Sequence, residues 1–332
     1  MKRKCIAVDV LSGDFGSSVI LPATFDYLKS HSKFDVLLVG DETQIIPKIP
    51  KTLNHRISII HCIEVVGMDE KPTDALRKRK TSSLFKTVQA VSDAHANACV
   101  SAGNTGALMA ISKVLLGMME GISRPAILGQ IPSLTGKSFM LDMGGNVDCD
   151  ANQLHEFASL GSLLVQLLDN QPYPRVALLN NGAEEIKGNT QVKTAADLLR
   201  ADSSLNYIGF LEGNDLFQSI ADVIVCDGFV GNVALKSSEG VANFITQRVS
   251  REIKSSYLLA PLLAVFYFLF RRVAKTIDPR QFNGALFLGL QSLVVKSHGH
   301  ADCLAFYHAL LYAGSLVEFD IIARMQAKLE HT

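Results

Sequence analysis

The strongest constraint on the fold is a repeated alternation of a short apolar run with a longer segment of helical periodicity. The short runs predict buried strands at Lys4–Val10, Asp35–Val39, Ile57–Cys62, Ala98–Ser101, Ser138–Leu141, Arg175–Leu179, Tyr207–Phe210 and Val223–Cys226. The helical segments lie at Leu21–Ser30, Thr73–Ala94, Gly106–Met119, Leu154–Leu168 and Gln191–Leu199. Because strands that alternate with helices form βαβ units, we expect an α/β fold with a mostly parallel sheet covered on both faces. After Val233 the apolar pattern changes, and long helices are expected to dominate the C-terminal part.

Composition narrows the classes of function. The 332 residues are 48% hydrophobic, and 32 basic residues balance 32 acidic ones. Bulk charge therefore gives no support for nucleic-acid binding, and the high apolar content argues against disorder. The six cysteines are never closer than 37 positions, as expected of buried thiols in a reducing compartment. Asp9 interrupts the first apolar run, so we expect no signal peptide and a cytoplasmic location.

Glycine loops recur where predicted strands give way to helices. The pattern Gly-x-x-Gly occurs at Gly13–Gly16, Gly103–Gly106 and Gly228–Gly231. Such loops permit close backbone approach, and the helix N-terminus that follows offers free N–H groups to an anion. The alternative is that strand-to-helix turns simply favour glycine. None of the loops matches the dinucleotide fingerprint or the P-loop, so nucleotide binding loses its main sequence support.

One segment, Tyr257–Phe270, is apolar over fourteen residues apart from Pro261. As a helix it is about 21 Å long, which is too short to span a bilayer. With Arg271 and Arg272 directly after it, we expect it to form the tip of a helical excursion over residues 250–285 that docks on a membrane. The alternative is a core or dimer-interface helix. The side chains expected to dock are Leu258, Leu259, Leu262, Leu263, Phe266, Phe268, Leu269 and Phe270.

Six segments, in order along the chain, closely resemble the bacterial phosphate acyltransferases of the PlsX family. They are Val66–Ser83, Val100–Ala110, Leu141–Cys149, Glu184–Asn189, Val225–Lys236 and Val295–Asp302. The resemblance implies one two-lobed domain over residues 1–332, a three-layer αβα sandwich with a cleft, similar to isopropylmalate dehydrogenases and phosphotransacetylases. It implies acyl transfer from acyl-acyl-carrier-protein to inorganic phosphate, giving acyl phosphate for phospholipid synthesis. It also implies a homodimer at the inner face of the cell membrane that supplies a membrane glycerol-3-phosphate acyltransferase, without cofactor or nucleic acid.

Two segments depart from the family pattern. The first motif of the family usually reads Ala-Met-Gly-Gly-Asp-x-Gly, whereas this chain has Ser12 directly before Gly13. The second departure is Asn181, which stands where the family pattern has isoleucine. Because Gly13, Asp14 and Gly16 are present, the geometry of the first loop is expected to persist.

The implied reaction needs donors that hold phosphate and stabilise a tetrahedral oxyanion, since phosphate is itself the nucleophile. Lys187 lies between two carboxylates and a Gly-Asn turn and is predicted to bind phosphate or the oxyanion, the alternative being an exposed lysine in an ion pair. Asn and Thr side chains beside the glycines donate hydrogen bonds but are equally natural helix caps. The predicted phosphate-binding residues are Gly103, Asn104, Thr105, Gly106, Asn146, Asn232 and Lys236, of which the last two are one helical turn apart and share a face.

The segment Ser297–Asp302 is similar to one that phosphotransacetylases carry before their last helix. Ser297 is predicted to donate to the thioester carbonyl, and His298 to protonate the leaving thiolate or bind phosphate, with Asp302 as their acidic partner. The alternative is that His298 caps a helix beginning near His300. Alternating histidines on a loop are weak signs of metal ligands, and we predict no metal site.

The run Arg77, Lys78, Arg79 and Lys80 is basic throughout. Such a run is usually a solvated helix face, but the resemblance makes it a candidate docking surface for an acidic carrier protein.

Two other functions remain open at the level of sequence. Fold kinship alone suggests an NAD- and metal-dependent hydroxyacid dehydrogenase, for which we find no set of cleft aspartates. The other is a non-catalytic peripheral membrane scaffold with a degenerate cleft, against which the Gly-Asn loops argue.

Overall fold

The computed structural model describes residues 3–255 and 278–330. The eleven strands in this part of the chain form one sheet. The strands are β1 Lys4–Asp9, β2 Phe34–Gly40, β3 Ile57–His61, β4 Ala98–Ser101, β5 Ala126–Ser133, β6 Gly136–Leu141, β7 Arg175–Leu179, β8 Asn206–Leu211, β9 Val223–Val225, β10 Ala285–Leu288 and β11 Leu293–Lys296. Their order across the sheet is β3-β2-β1-β4-β11-β10-β5-β6-β9-β7-β8.

The sheet consists of two parallel halves joined by an antiparallel centre. Strands β3, β2, β1, β4 and β11 are parallel to one another, as are β6, β9, β7 and β8. Between the halves, β10 is antiparallel to both β11 and β5, and β5 is antiparallel to β6. The predicted α/β fold with a mostly parallel sheet is confirmed.

Helices cover both faces of the sheet. They are α1 Ser17–Ser30, α2 Glu42–Ile45, α3 Pro72–Lys78, α4 Ser83–Ser92, α5 Thr105–Leu116, α6 Ala151–Leu168, α7 Thr190–Ala201, α8 Gly228–Ser255, α9 Cys303–Glu318 and α10 Ile321–Leu329. Successive residues of β1 show the two-sided burial, because Ile6 and Val8 join one hydrophobic cluster whereas Ala7 joins another. Both faces of the central strands are therefore core, as a three-layer sandwich requires.

The predicted single helix Thr73–Ala94 is wrong, because the chain forms α3 and α4 with a break between them. The side chain of Arg79 turns back to Glu64 and Glu70, at 3.1 and 2.8 Å. Ser82 then caps α4 by accepting a hydrogen bond from the N–H of Phe85 at 3.3 Å. These two local interactions end one helix and start the next.

The expectation that helices dominate after Val233 is confirmed in the described residues by α8, α9 and α10, although two short strands that were not predicted also lie in this region. Strands β10 and β11 lie in this region and occupy the centre of the sheet. Each has only four residues, Ala-Leu-Phe-Leu and Leu-Val-Val-Lys, so neither shows a periodicity that sequence could separate from a buried helix. Strand β5, which pairs with β10, was not predicted either.

The apolar residues predicted to dock on a membrane, Leu258 to Phe270, lie outside the described residues. In residues 3–255 and 278–330, no single helix is long and apolar enough to cross a membrane. The bent pair α9 and α10 passes such a test by length and composition alone. Its apolar side chains, among them Phe306, Leu310 and Met325, are buried in the core.

Candidate catalytic and anion-binding site

Helix α8 connects the two halves of the molecule. Its first turn packs on the loop after β6, where the N–H of Gly228 donates to the carbonyl of Asn146 at 2.7 Å. A side chain on Gly231 would overlap the Asp142 carbonyl oxygen, so only glycine permits this approach. Further along α8, Lys236 Nζ lies 2.7 Å from Nε2 of His298, on the loop after β11.

The predicted shared helix face thus has two contacts. Asn232 lies against Gly144 of the loop after β6, and Lys236, one turn later, reaches His298. The side chain of Asn232 is exposed.

Both ring nitrogens of His298 face donors. An ammonium group only donates hydrogen bonds, so Nε2 accepts from Lys236 at 2.7 Å, and Nδ1 lies 3.3 Å from the N–H of His300. Burial and the nearby Lys236 ammonium lower the pKa of His298. The imidazole is therefore neutral at pH 7, and the ammonium rather than the imidazole is the acidic group of this pair.

Ser297 directly precedes His298 in the chain and is fully buried. Its Oγ accepts a hydrogen bond from Nδ2 of Asn283 at 2.9 Å, and Oδ1 of Asn283 accepts from the N–H of His298 at 3.0 Å. Asn283 therefore holds both residues of the loop. Sequence reasoning missed it, because an isolated asparagine after a short 3-10 helix carries no recognisable signal.

Asp302 has a structural role in this arrangement. It is the N-cap of α9, accepting from the N–H of Ala305 at 2.9 Å, and its other oxygen pairs with Arg280 at 2.9 Å. The cap of this helix is thus Asp302 and not His298. Its carboxylate has no described contact with Ser297 or His298 in residues 3–255 and 278–330, which separates it from the two residues with which sequence grouped it.

The loop after β4, Ala102–Asn104 (the β4 loop), leads directly into α5. Asn104 is buried and caps the helix, its Oδ1 accepting from the N–H of Ala107 at 3.0 Å. Its amide nitrogen lies within 3.1 Å of the carbonyl oxygens of Gly67, Met68 and Glu70. Within the described part of the chain, the N–H groups of Asn104, Thr105 and Gly106 and the half-buried Thr105 hydroxyl have no acceptor. The side chain of Asn104 shapes the loop, and the helix N-terminus supplies the open donors.

The loop after β6, Asp142–Asn146 (the β6 loop), wraps around its own carboxylate. Asp142 is fully buried and accepts from the backbone N–H groups of Ile127, Gly144, Gly145 and Asn146, at 2.6 to 3.2 Å. The Asn146 amide donates to the same carboxylate and to the carbonyl of Pro125, both at 2.8 Å. Burial raises the pKa of Asp142, and the N–H donors oppose that rise. The amide predicted to bind phosphate is therefore engaged internally, by an aspartate that sequence reasoning did not select.

The loop after β1, Val10–Gly16, is held against the β4 loop by Ser12, the residue that departs from the family pattern. The Ser12 hydroxyl donates to the Asp9 carbonyl at 2.7 Å and accepts from the N–H of Ala102 at 2.9 Å. The N–H of Asp14 donates to the Gly299 carbonyl at 2.9 Å, and the Asp14 carboxylate pairs with His300. The loops after β1, β4 and β11 are thus in mutual contact beside Lys236 and His298.

Lys187 lies on the loop after β7, and the structure does not bring it to this group. Its side chain is exposed and packs over Gly182. No described contact in residues 3–255 and 278–330 joins it to His298, Lys236 or the β4 loop. Its predicted role remains a prediction.

The four residues of the basic run differ in their partners. Arg79 pairs with Glu64 and Glu70, and Lys78 pairs with Asp74 at 2.9 Å. Arg77 and Lys80 are exposed, and neither has a described ion pair in the part of the chain that the structure covers. In that same part, no three His, Cys, Asp or Glu side chains converge as metal ligands do.

Comparisons with known proteins show the family to which the chain belongs. The family model described as "Fatty acid synthesis protein" matches residues 4–324. A phosphate acyltransferase of Methylococcus capsulatus is 46% identical, over 94% of this chain and 93% of the relative. One from Shewanella sp. strain MR-4 is 44% identical, over 93% and 92%.

Solved structures show the same fold at low identity. A phosphotransacetylase from Streptococcus pyogenes matches with a TM-score of 0.59 and 17% identity, covering 98% of this chain and 94% of the other. A branched-chain phosphotransacylase from Enterococcus faecalis matches with a TM-score of 0.60 and 14% identity, covering 95% and 99%. On the family match and the identity to its curated relatives, this chain belongs to the phosphate acyltransferase family.

Proposed function

We propose that this enzyme transfers an acyl group from acyl-acyl-carrier-protein to inorganic phosphate. The observation that carries the proposal is the contact between Lys236 and His298, which brings a cation to the loop after β11, and this loop lies against the β4 loop that leads into α5. Family membership favours this reaction over a dehydrogenase and over a non-catalytic scaffold. The reaction converts a thioester and phosphate into acyl phosphate and a free thiol, and it needs no cofactor.

In the proposed step, a phosphate oxygen attacks the thioester carbonyl. The new C–O bond forms, a tetrahedral oxyanion develops, the C–S bond breaks, and the proton of hydrogen phosphate ends on the departing thiolate. We assign phosphate to the N-terminus of α5, where Thr105 and the backbone N–H groups donate and Lys236 supplies charge. Donors that are already fixed stabilise the oxyanion without reorganising during the reaction.

We assign to Lys236 the acidic role that sequence gave to His298. The neutral His298 accepts from Lys236, whose ammonium also pairs with Glu239 at 3.2 Å, and these two contacts hold the ammonium at the loop after β11. Ser297, buried behind this pair and bonded to Asn283, is assigned to hold the loop in place. Lys187, exposed on the loop after β7, is retained as a second cation that meets phosphate once substrate is bound.

The test is hydroxylamine trapping of acyl phosphate from purified full-length protein, acyl-carrier-protein thioester and phosphate. Wild type should give phosphate-dependent product, and Lys236→Met should raise the KM for phosphate by roughly 10-fold or more, because a charge-assisted hydrogen bond is lost. The matched control is Lys193→Met, an exposed lysine on α7. If the wild-type protein forms no product from a verified acylated carrier, the proposal is wrong.

We propose Arg77 and Lys80 as the charges that meet the acidic carrier protein. They are the exposed members of the basic run that lack a described ion pair. Changing both to glutamate should raise the KM for the acylated carrier and leave the KM for phosphate unchanged. Lys78→Glu, at a lysine already paired with Asp74, is the control and should have the smaller effect.

We also propose that the protein is cytoplasmic, acts as a homodimer and associates peripherally with the membrane, where a glycerol-3-phosphate acyltransferase would receive its product. The described end of α8 supports membrane contact, since Val241, Phe244 and Ile245 are exposed apolar side chains leading toward Tyr257–Phe270. Wild type should sediment with anionic liposomes, and Phe244→Glu with Ile245→Glu should reduce that binding. Sedimentation equilibrium in the absence of lipid tests the dimer.

A further inference from the structure

A buried lysine that the preceding mechanism does not use lies next to the proposed site. Lys296 is the last residue of β11, and only 9% of it is exposed. Its ammonium donates to the carbonyl of the following residue, Ser297. An ammonium has three N–H donors, and in residues 3–255 and 278–330 the other two have no described acceptor. A buried charge with one hydrogen bond is costly unless a further partner arrives.

The charges around Lys296 point to the kind of partner. Burial and the neighbouring Lys236 ammonium lower the pKa of Lys296 to about 8, and the buried Asp9 carboxylate opposes that shift. Asp9 in turn accepts from Ser101 Oγ at 2.8 Å, and the same Oγ accepts from the N–H of Gly103 at 3.0 Å. Ser101 of β4 is the register partner of Lys296 on β11, and Lys236 contacts His298 two residues further along, so both ammonium groups lie at this end of β11. An anion that contacts both would offset their repulsion.

A second buried cation, Arg56, shows what a purely structural role looks like. Only 8% of it is exposed, and its guanidinium donates to the carbonyls of Leu28, His31 and Phe34, with Asp35 nearby. All these acceptors belong to the protein, and Phe34 and Asp35 lie on β2, which β1 and β4 separate from β11. Lys296 has the burial of Arg56 without its acceptors.

We propose that Lys296 is a further anion-binding residue of the site, which contacts the phosphate dianion, and that Asp9 is a positioning residue that keeps the Lys296 ammonium charged. The inference rests on the proposed function for the identity of the anion. Phosphate would then contact two lysines, Lys236 on α8 and Lys296 at the end of β11.

The experiment measures binding of inorganic phosphate to the full chain by calorimetry, without acyl donor. Lys296→Met should weaken phosphate binding by roughly 10- to 100-fold at pH 7. Arg56→Met, the matched buried cation, should lower the melting temperature and leave the phosphate dissociation constant within about twofold of wild type. Lys296→Gln, which keeps an N–H donor on a side chain one atom shorter and without charge, serves where Lys296→Met does not fold. A wild-type dissociation constant in either folded Lys296 variant overturns the inference.

Asp9→Asn separates positioning from simple packing. The groups facing Lys296 are Asp9, Lys236 and, beyond Lys236, His298 with Glu239. Without the Asp9 charge the pKa of Lys296 falls, so phosphate affinity should be lost at a lower pH than in wild type, with near-normal affinity at pH 6. An unchanged pH profile contradicts the role given to Asp9. Acyl transfer is measured in a separate experiment. If the protein binds phosphate through Lys296 but makes no acyl phosphate, the proposed function is wrong and the inference about Lys296 stands.

Discussion

The β4 loop and the β6 loop look alike in sequence and behave differently in the structure. Both follow a buried strand, both combine glycine with asparagine, and both were predicted to bind phosphate. In the β4 loop the asparagine caps α5, and the N–H groups around Thr105 are left open. In the β6 loop the N–H groups converge on Asp142, so an internal carboxylate stands where an external anion would bind.

Glycine and asparagine after a strand therefore predict a loop with several N–H donors. They do not predict whether an internal carboxylate or an external anion accepts the hydrogen bonds. The deciding residue in the β6 loop is the aspartate two positions before the first glycine. In the β4 loop the corresponding position is Ser101, whose hydroxyl faces Asp9 instead. Cations complete the contrast, because Lys296 is the register partner of Ser101 and Lys236 contacts the neighbouring loop after β11.

The largest effect is expected from Asp142→Ala. It would remove the acceptor of five N–H donors, three on buried residues and two on half-buried ones, so we expect the free energy of unfolding to fall by about 3–5 kcal/mol. Urea denaturation measures it. Asp150→Ala, which removes a carboxylate that only caps α6, should cost about 1 kcal/mol. Equal losses in the two variants would mean that Asp142 is no more than a cap.

Asn104→Ala and Asn146→Ala separate the loops by function. Both should destabilise the fold, because each amide is buried and bonded, by about 1–3 kcal/mol for Asn146. Only Asn104→Ala should also raise the KM for phosphate, by roughly 10-fold, since the open N–H groups lose their alignment. Steady-state kinetics at saturating acyl donor measures this. A larger rise in Asn146→Ala would reverse the assignment of the two loops.

Thr105→Val makes a smaller change, at the first residue of α5 after the β4 loop. The isosteric loss of one neutral hydrogen bond to phosphate should raise its KM by roughly 2- to 10-fold. The chain contains a matched control, because the tripeptide Gly-Asn-Thr recurs at Gly188–Thr190, where Asn189 caps α7 in the same way. Thr190→Val should leave the KM unchanged. If the two variants behave alike, the Thr105 hydroxyl has no part in binding.

The smallest effect concerns the charge beside the β4 loop. Burial, Lys236 and Lys296 all lower the pKa of His298, so Lys236→Met removes one of the causes and the pKa should rise toward its usual value. Nuclear magnetic resonance titration of the imidazole measures this, with Lys193→Met as the control. A fall in the pKa, or no change, would show that the 2.7 Å contact is absent in solution.

Sequence reasoning succeeded where local spacing decides the outcome. It predicted that Asn232 and Lys236 share a helix face, and it grouped Ser297 with His298, because both follow from positions close in the chain. It missed Asn283 and Asp142, whose importance comes from partners brought together by the fold. It also missed β10 and β11, since four-residue apolar runs carry too little pattern to separate a strand from a helix.

The central position of β10 and β11 has a consequence for biosynthesis. Strand β4 pairs with β11 along one edge, and β5 pairs with β10 along one edge. Both edges therefore stay unpaired until residues 285–296 have been synthesised. At about 5–20 residues per second, the ribosome needs roughly 8 to 30 seconds to make the chain between β5 and β10. During this interval two hydrophobic strands expose unpaired N–H and C=O groups, the condition under which nascent chains associate. Chaperone depletion should therefore reduce the soluble yield of this protein more than that of a sheet whose central strands are made first.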